Sequence, residues 1–244
     1  MPVNLLIAAH PDDETIGLGG QLREFADLRI VHVTDGAPRD PREFTAKGFA
    51  TREEYAAARR RELHRALAIA SIAPERAVCL GVVDQEASRN LAGLARRMCG
   101  VLREYAPEAV YTHAYEGGHP DHDACAFAVH AACRMIASPP MIREFALYHR
   151  RGGKMITGEF ADSKGVTTVV LSREARERKQ RMIDCFESQR ETLRPFRCDV
   201  ERIRTAPRYD FTRPPAEEIH YDAFQWGMNS GEWLECARAA LAAL

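Results

Sequence analysis

The sequence predicts an α/β fold, a mainly parallel β-sheet flanked by helices, with a less regular C-terminal third. Three observations carry that prediction. Short, largely apolar runs alternate with helical stretches through the first 150 residues, and parallel strands need such crossover connections. The first run, Val3–Ala9, reads as a buried strand and is far too short to span a membrane. With 244 residues, 45% of them hydrophobic, the chain can bury a core of its own without disulfide staples.

The elements follow in order. After Val3–Ala9, a helix is expected over Ile16–Leu28 and a second strand over Arg29–Thr34, ending at Thr34-Asp35-Gly36. The polar segment Ala37–Phe49 is read as a loop long enough to border a site. Thr51–Ile72 carries Tyr55, Ala58, Leu63, Leu67 and Ala70 at roughly helical spacing, with Thr51 as N-cap and Glu54 completing a capping box. Ala77–Val83 is a strand, Asn90–Tyr105 a helix, Glu108–His113 a strand, Pro120–Ile136 an Ala-rich helix and Ile142–His149 a strand. Val166–Leu171 then forms a strand, Ser172–Ser188 a charged helix and Asn229–Leu244 a final helix. Arg194–Tyr221, rich in Pro and Arg, is expected to wrap the core as loops or edge strands. No repeat or flexible linker divides the chain, so residues 1–244 read as one domain, with its core over about 1–190.

Composition excludes several functions. The 34 basic and 35 acidic side chains give a formal net charge of −1, without the excess of Lys and Arg that nucleic-acid binding through phosphates calls for. Seven cysteines, odd in number and free of any C-x-x-C pair, are neither a disulfide framework nor a thiolate zinc site. They fit a reducing cytoplasm. No basic leader or long apolar segment indicates a membrane partner, and homo-oligomerisation is left open.

Two clusters carry chemistry. Ala9-His10-Pro11-Asp12-Asp13-Glu14 follows the first strand directly, where ligands bind in open parallel sheets. His10 and Asp13, three residues apart in a turn, can converge on one metal while Asp12 stays free. His119-Pro120-Asp121-His122-Asp123 follows the strand Glu108–His113, with Pro120 suited to the first helical position. Either cluster alone is common by chance; two, each at a strand's end, are not. Together they offer His10, Asp13 and His122 as ligands with a fourth position open, the pattern of a catalytic zinc, which acidifies a bound water. Asp12 is then placed to accept the water's proton. His119, held upright by Asp121, is placed to donate to a developing oxyanion.

These two segments resemble the paired signatures of the PIG-L/LmbE-like family of zinc-dependent N-acetylglucosaminyl deacetylases. Thr34-Asp35-Gly36, Arg59 to Glu62, and Lys179 followed by Ser188-Gln189 resemble its weaker marks, so the likeness spans about residues 3–190. It implies a Rossmann-like fold, one Zn2+ per chain (or another divalent metal such as Fe2+) and an N-acetylamino sugar as substrate. Carried over by position, His10, Asp13 and His122 hold the metal, Asp12 is the general base, and His119 polarises the amide or stabilises the oxyanion.

Blander readings stand beside these. Gly17-Leu18-Gly19-Gly20 lacks the dinucleotide-binding spacing and follows an acidic loop, so its glycines are read as close-packing positions. Among Arg59, Arg60 and Arg61, a solvated helix face competes with substrate contact, and Arg59 is the best substrate candidate. Asp35 stands between substrate contact and turn chemistry, and His113 is a candidate pocket-lining residue. Trp226 and Trp233 are assigned to packing by default, with stacking on a sugar as the alternative. Two other functions remain: an amidase acting on a non-acetyl or non-sugar small amide, and a non-catalytic sugar-binding module.

Overall fold

The computed structural model describes residues 3–224 and 226–244. Its frame is a seven-stranded sheet in the order β3-β2-β1-β4-β5-β9-β8. The strands are β1 (Asn4–Ala8), β2 (Leu28–Pro38), β3 (Ala77–Asp84), β4 (Ala109–His113), β5 (Met141–Phe145), β8 (Thr167–Val170) and β9 (Val200–Thr205). A separate antiparallel hairpin pairs β6 (Tyr148–Arg151) with β7 (Lys154–Thr157). The helices are α1 (Asp13–Leu18), α2 (Pro41–Thr45), α3 (Arg52–Ile69), α4 (Leu91–Tyr105), α5 (Pro120–Arg134), α6 (Arg173–Ile183), α7 (Arg190–Leu193) and α8 (Ser230–Ala243).

Strands β3, β2, β1, β4 and β5 run parallel; β9 pairs antiparallel with β5, and β8 pairs antiparallel with β9, so β8 runs with the central strands. β1 alternates between two cores. Leu5, Ile7 and Ala9 face α4, α5 and α8, with Met98, Phe127 and Trp233. Leu6 and Ala8 face the side of α1, α3 and α6, with Leu67, Phe145 and Met182. A strand buried on both faces is why the run after Val3 is nearly continuous in apolar residues.

The order reverses between β1 and β4, since β1 leads outward to β2 and β3 while β4 leads to β5. Such a switch point opens a crevice beyond the carboxyl ends of the two central strands. Here one of the two His/Asp segments leaves β1 and the other lies just beyond β4, so both border one crevice.

Several boundaries differ from the sequence reading. The helix expected over Ile16–Leu28 stops at Leu18, and a short 3-10 turn follows at Leu22–Glu24. The glycines explain the early stop and the packing together. A Cβ on Gly17 would fall inside the Phe145 ring, and one on Gly20 would fall on Leu171, so this segment is pressed against β5 and the start of α6. β2 runs on to Pro38, and the expected loop Ala37–Phe49 contains α2, capped by Asp40 with Pro41 at its first position. The single strand expected over Ile142–His149 is two: β5 stays in the sheet, and β6 departs to form the hairpin with β7. β9, within the segment expected as loops or edge strands, lies inside the sheet between β5 and β8. Thr51 caps α3 by accepting from the Glu54 N–H, but Glu54 reaches back to the Ala50 N–H rather than to Thr51.

Candidate metal centre and active-site crevice

The turn after β1 sets the geometry. Asp12 has φ 154° and ψ −25°, outside the regions open to L-residues with a side chain. Buried partners hold it there. Glu14 accepts the Asp12 N–H at 3.1 Å and also takes the Thr15 hydroxyl at 2.5 Å and His32 Nε2 at 3.0 Å. Arg59, on α3, donates to Asp12 Oδ2 at 3.1 Å and to the Pro11 carbonyl at 3.0 Å. The turn sends the consecutive carboxylates of Asp12 and Asp13 to different partners.

Asp13 joins the histidines. Its Oδ2 lies 3.3 Å from His10 Nδ1, and its Oδ1 lies 3.3 Å from His122 Nε2. The two contacts use different Asp13 oxygens; the sets that bring one ligand atom from each residue within 4.8 Å of the others join Asp13 with His113 and His122, and His10 with Asp84 and Asp121. His10, His119 and His122 also offer nitrogens within 4.8 Å of one another. A further observation fits a cation. His10 Nε2 and Asp84 Oδ1 face each other at 2.9 Å, yet both are buried without a hydrogen-bond partner, a state that costs free energy unless a charge compensates. Asp121 Oδ2 lies 3.4 Å from the same nitrogen.

Electrostatics follow from this crowding. Burial pushes the Asp13 carboxyl up, but His122, His113 and His10 together outweigh it and hold it well below the usual carboxylate range. Burial pushes Asp12 up to about 8, against the pull of the Arg59 guanidinium. Burial lowers His119 and His122 to about 3, which leaves both imidazoles neutral. His119 caps α5, and its Nδ1 accepts the Asp121 N–H at 3.1 Å. In the neutral ring the proton is therefore on Nε2, which makes that atom the donor.

The structure brings His10, Asp12, Asp13, His119, His122 and Arg59 together around a cavity of about 200 Å³, also lined by Asp84, Tyr148 and Trp226. Three sequence-level expectations change. Asp121 supports His119 through its main-chain N–H, not its carboxylate, which is fully buried and accepts from Gln85 N at 2.7 Å and Ala87 N at 3.0 Å. His113 does not line the cavity. It lies beneath it, stacked on His122 at 4.1 Å, with Nε2 accepting the Ala9 N–H at 2.9 Å. Asp35 is outside the cavity lining as well; it accepts from Arg52 at 2.6 Å and from the Ala37 N–H in a tight turn. Of the weaker family-like marks, Arg59 and Gln189 line the cavity, and Glu62, Lys179 and Ser188 tie the elements around it. Glu62 accepts from Ser188 N and Oγ, and Gln189 donates to Tyr55 at 2.5 Å. Lys179 is buried between Glu201 and the Ile16 carbonyl.

Sequence reasoning missed Asp84 and Tyr148. Asp84 ends β3 at the carboxyl edge of the sheet, and that position was the available signal. Tyr148 arrives on β6, and the available signal was Gly152-Gly153, the two-residue turn with both φ values positive that closes the hairpin with β7.

Fold and crevice together define an α/β protein with a buried His/Asp cluster suited to a divalent cation. The chain belongs to the PIG-L family, described as GlcNAc-PI de-N-acetylase, whose model matches residues 5–133, more than half its length. Among solved structures it is similar to the zinc-inhibited form of teicoplanin deacetylase Orf2, with 19% identity over 85% of this chain and 99% of that one and a TM-score of 0.65. It is also similar to N,N'-diacetylchitobiose deacetylase from Pyrococcus horikoshii, with 19% identity over 80% and 74% of the two chains and a TM-score of 0.59. GalB, the 4-carboxy-2-hydroxymuconate hydratase of Pseudomonas putida, shares the fold at 18% identity over 86% and 98%, with a TM-score of 0.60. No curated protein matches the chain. No described helix is long and apolar enough to cross a membrane.

Proposed function

We propose that this protein is a divalent-metal-dependent N-deacetylase that removes the acetyl group from an N-acetylglucosamine-type amino sugar or its conjugate. The observation that carries this reading is the pair Asp12 and Asp13: adjacent in sequence, one joined to the histidines and one held beside them by Arg59. A site that only bound metal would have no use for the second carboxylate in that position. Membership of a de-N-acetylase family supports the same chemistry.

His10, Asp13 and His122 would hold the metal, zinc in the first instance and ferrous iron as the alternative. When bound, it supplies a Lewis acid that acidifies water and polarises the amide oxygen. Asp12 takes the proton from the attacking water. Arg59 favours the ionised form that this needs, against the burial that pushes the carboxyl up to about 8. The Nε2–H of His119 donates to the amide oxygen as it gains charge, a contribution worth about 100- to 1,000-fold in rate for one such donor. Asp12, now protonated, returns the proton to the departing amine, so acetate and a free amino sugar leave with no net proton change at the enzyme. We read the chain as one domain in a reducing, cytoplasmic setting, since α8 packs into the core shared by α4 and α5 and the cysteines are all free.

The test is acetate release from N-acetylglucosamine and its conjugates by metal-replete protein, with metal content measured alongside. About one metal per chain and stoichiometric acetate are expected. Water addition to an unsaturated acid, with no acetate from any N-acetyl sugar, would refute the reading in favour of a hydratase.

A further inference from the structure

We propose that Asp123 and Tyr221 are positioning residues for His119, which together fix the turn that aims its ring into the cavity. This rests on the deacetylase reading and adds to it two residues that do not line the cavity themselves.

His119 enters the site at the end of Glu116-Gly117-Gly118. Two consecutive glycines give a backbone with many conformations open to it, and Gly117 takes φ 70°. The His119 side chain has a single hydrogen bond of its own, from the Asp121 N–H to Nδ1. The direction of its Nε2–H therefore depends on what fixes the two glycines.

Residues from outside the turn fix them. Asp123 Oδ1 accepts the Glu116 N–H at 3.3 Å and the Gly117 N–H at 3.1 Å. Its other oxygen, Oδ2, accepts the Tyr221 hydroxyl at 3.3 Å. The residue before Tyr221 completes the grip, because the His220 N–H donates to the Gly117 carbonyl at 2.7 Å. Ile219 closes a further side: a Cβ on Gly117 would lie 2.6 Å from its Cδ1. Both backbone groups of Gly117 thus answer to residues 219–221, the carbonyl directly and the N–H through Asp123.

Stability alone does not call for this arrangement. Asp123 and Tyr221 are buried, at 0% and 1% exposure. A buried carboxyl group costs free energy even when it is paired. Phe at position 221 would fill the same space with no hydroxyl to satisfy. What the polar pair supplies is direction, a fixed orientation for the peptides on which His119 is carried.

The experiment uses zinc-loaded protein and Tyr221→Phe, which removes only the hydroxyl. One readout is steady-state acetate release from the N-acetylglucosamine conjugate that the parent hydrolyses best. The other is the pair of His119 ring-nitrogen NMR shifts, which in the parent should report the Nε2–H tautomer alone. In Tyr221→Phe, kcat should fall about five- to twentyfold, part of the roughly 100- to 1,000-fold that complete loss of one such donor costs. KM and metal content should be unchanged, and the ring-nitrogen shifts should move toward averaged tautomers. Asp123→Asn keeps an oxygen for both N–H groups and an amide that can donate to the Tyr221 hydroxyl, so it should retain most of the parent kcat. Asp123→Ala should lose at least as much as Tyr221→Phe. A raised KM with kcat unchanged in Tyr221→Phe would assign the segment to substrate binding and overturn the proposal. Asp123→Asn as impaired as Asp123→Ala would overturn it too. The NMR readout separates the two levels of inference. Shifts that move in Tyr221→Phe, when neither protein releases acetate, support the positioning role and remove the deacetylase reading. A parent that releases acetate, with Tyr221→Phe identical to it in kinetics and shifts, removes the positioning role and leaves the deacetylase reading standing.

Discussion

Replacing Asp121 by Asn separates two roles that the sequence alone could not distinguish. If the carboxylate serves His119, the substitution damages catalysis and leaves the fold intact. The structure instead directs both oxygens to main-chain donors, Gln85 N and Ala87 N, in the segment that follows Asp84. Hydrogen bonds to a charged acceptor contribute about 1.5–3 kcal/mol each, against about 0.5–1.5 kcal/mol for neutral pairs. Asn keeps one acceptor, but its amide group faces the second N–H and leaves a buried donor unsatisfied, a cost of about 1–3 kcal/mol. The combined loss is about 2–5 kcal/mol. At roughly 2–4 °C per kcal/mol for a chain of this size, Tm falls on the order of 10 °C. Thermal melts of metal-free and metal-loaded Asp121→Asn, run beside the parent, provide the assay. Metal affinity should also weaken, since the displaced segment carries the carboxylate opposite His10. A variant that melts within about 1 °C of the parent, yet has lost most of its kcat, would refute this reasoning and return Asp121 to His119.

Other consequences can be checked in the same preparations. Asp12→Asn should retain the metal and lose at least a thousandfold in kcat, while His119→Ala loses about 100- to 1,000-fold; steady-state acetate release with metal analysis reads both. Lys179→Met removes the countercharge of the buried Glu201 carboxylate, leaving it only the Gly20 N–H and Gln21 donors, and should cost about 3–5 kcal/mol in denaturant unfolding, whereas the double variant with Glu201→Gln recovers part of it. Gly17→Ala forces a methyl group into the Phe145 ring and should destabilise by about 1–3 kcal/mol. Burial raises Glu116 to about 7 in the folded state, above its unfolded value near 4.3. The folded state thus retains a proton that the unfolded chain releases, so this contribution is complete below about pH 4.3 and is lost as pH rises through about 7. Tm measured across pH 5–8 should show that decline, and Glu116→Gln should flatten it.

The parts of the fold that could be read from sequence are those set by local rules. Pro120 after a capping residue fixed the start of α5, and Asn229 with Glu232 forms a capping box at the start of α8. The parallel order of strand and helix carried the sheet. The errors lie where residues outside the segment decide. Nothing within Ile142–His149 announces that Tyr148 leaves the sheet; the signal lies just beyond it, in the Gly152-Gly153 turn that closes the hairpin with β7. Nor does the composition of Arg194–Tyr221 show that Val200–Thr205 will insert between β5 and β8. At the site, the His and Asp residues were visible as spacing. Asp84, a single acid 71 positions beyond Asp13, became meaningful only when β3 carried it to the same edge of the sheet.

The strain at Asp12 explains why the site can use neighbouring carboxylates for different tasks. A residue with a side chain at φ 154° costs about 1–3 kcal/mol, and such a conformation persists only where the surroundings overdetermine it. Here they do: Glu14 holds the Asp12 N–H, Arg59 holds both the preceding carbonyl and the side chain, and His32 fixes Glu14 from β2. A relaxed turn would let both carboxylates seek the same cations, His10 and a bound metal, and two like charges converging there would raise one pKa at the expense of the other. The strained turn prevents that competition. It assigns Asp13 to the histidines and Asp12 to Arg59, which is the separation of ligand from base that the proposed deacetylation calls for.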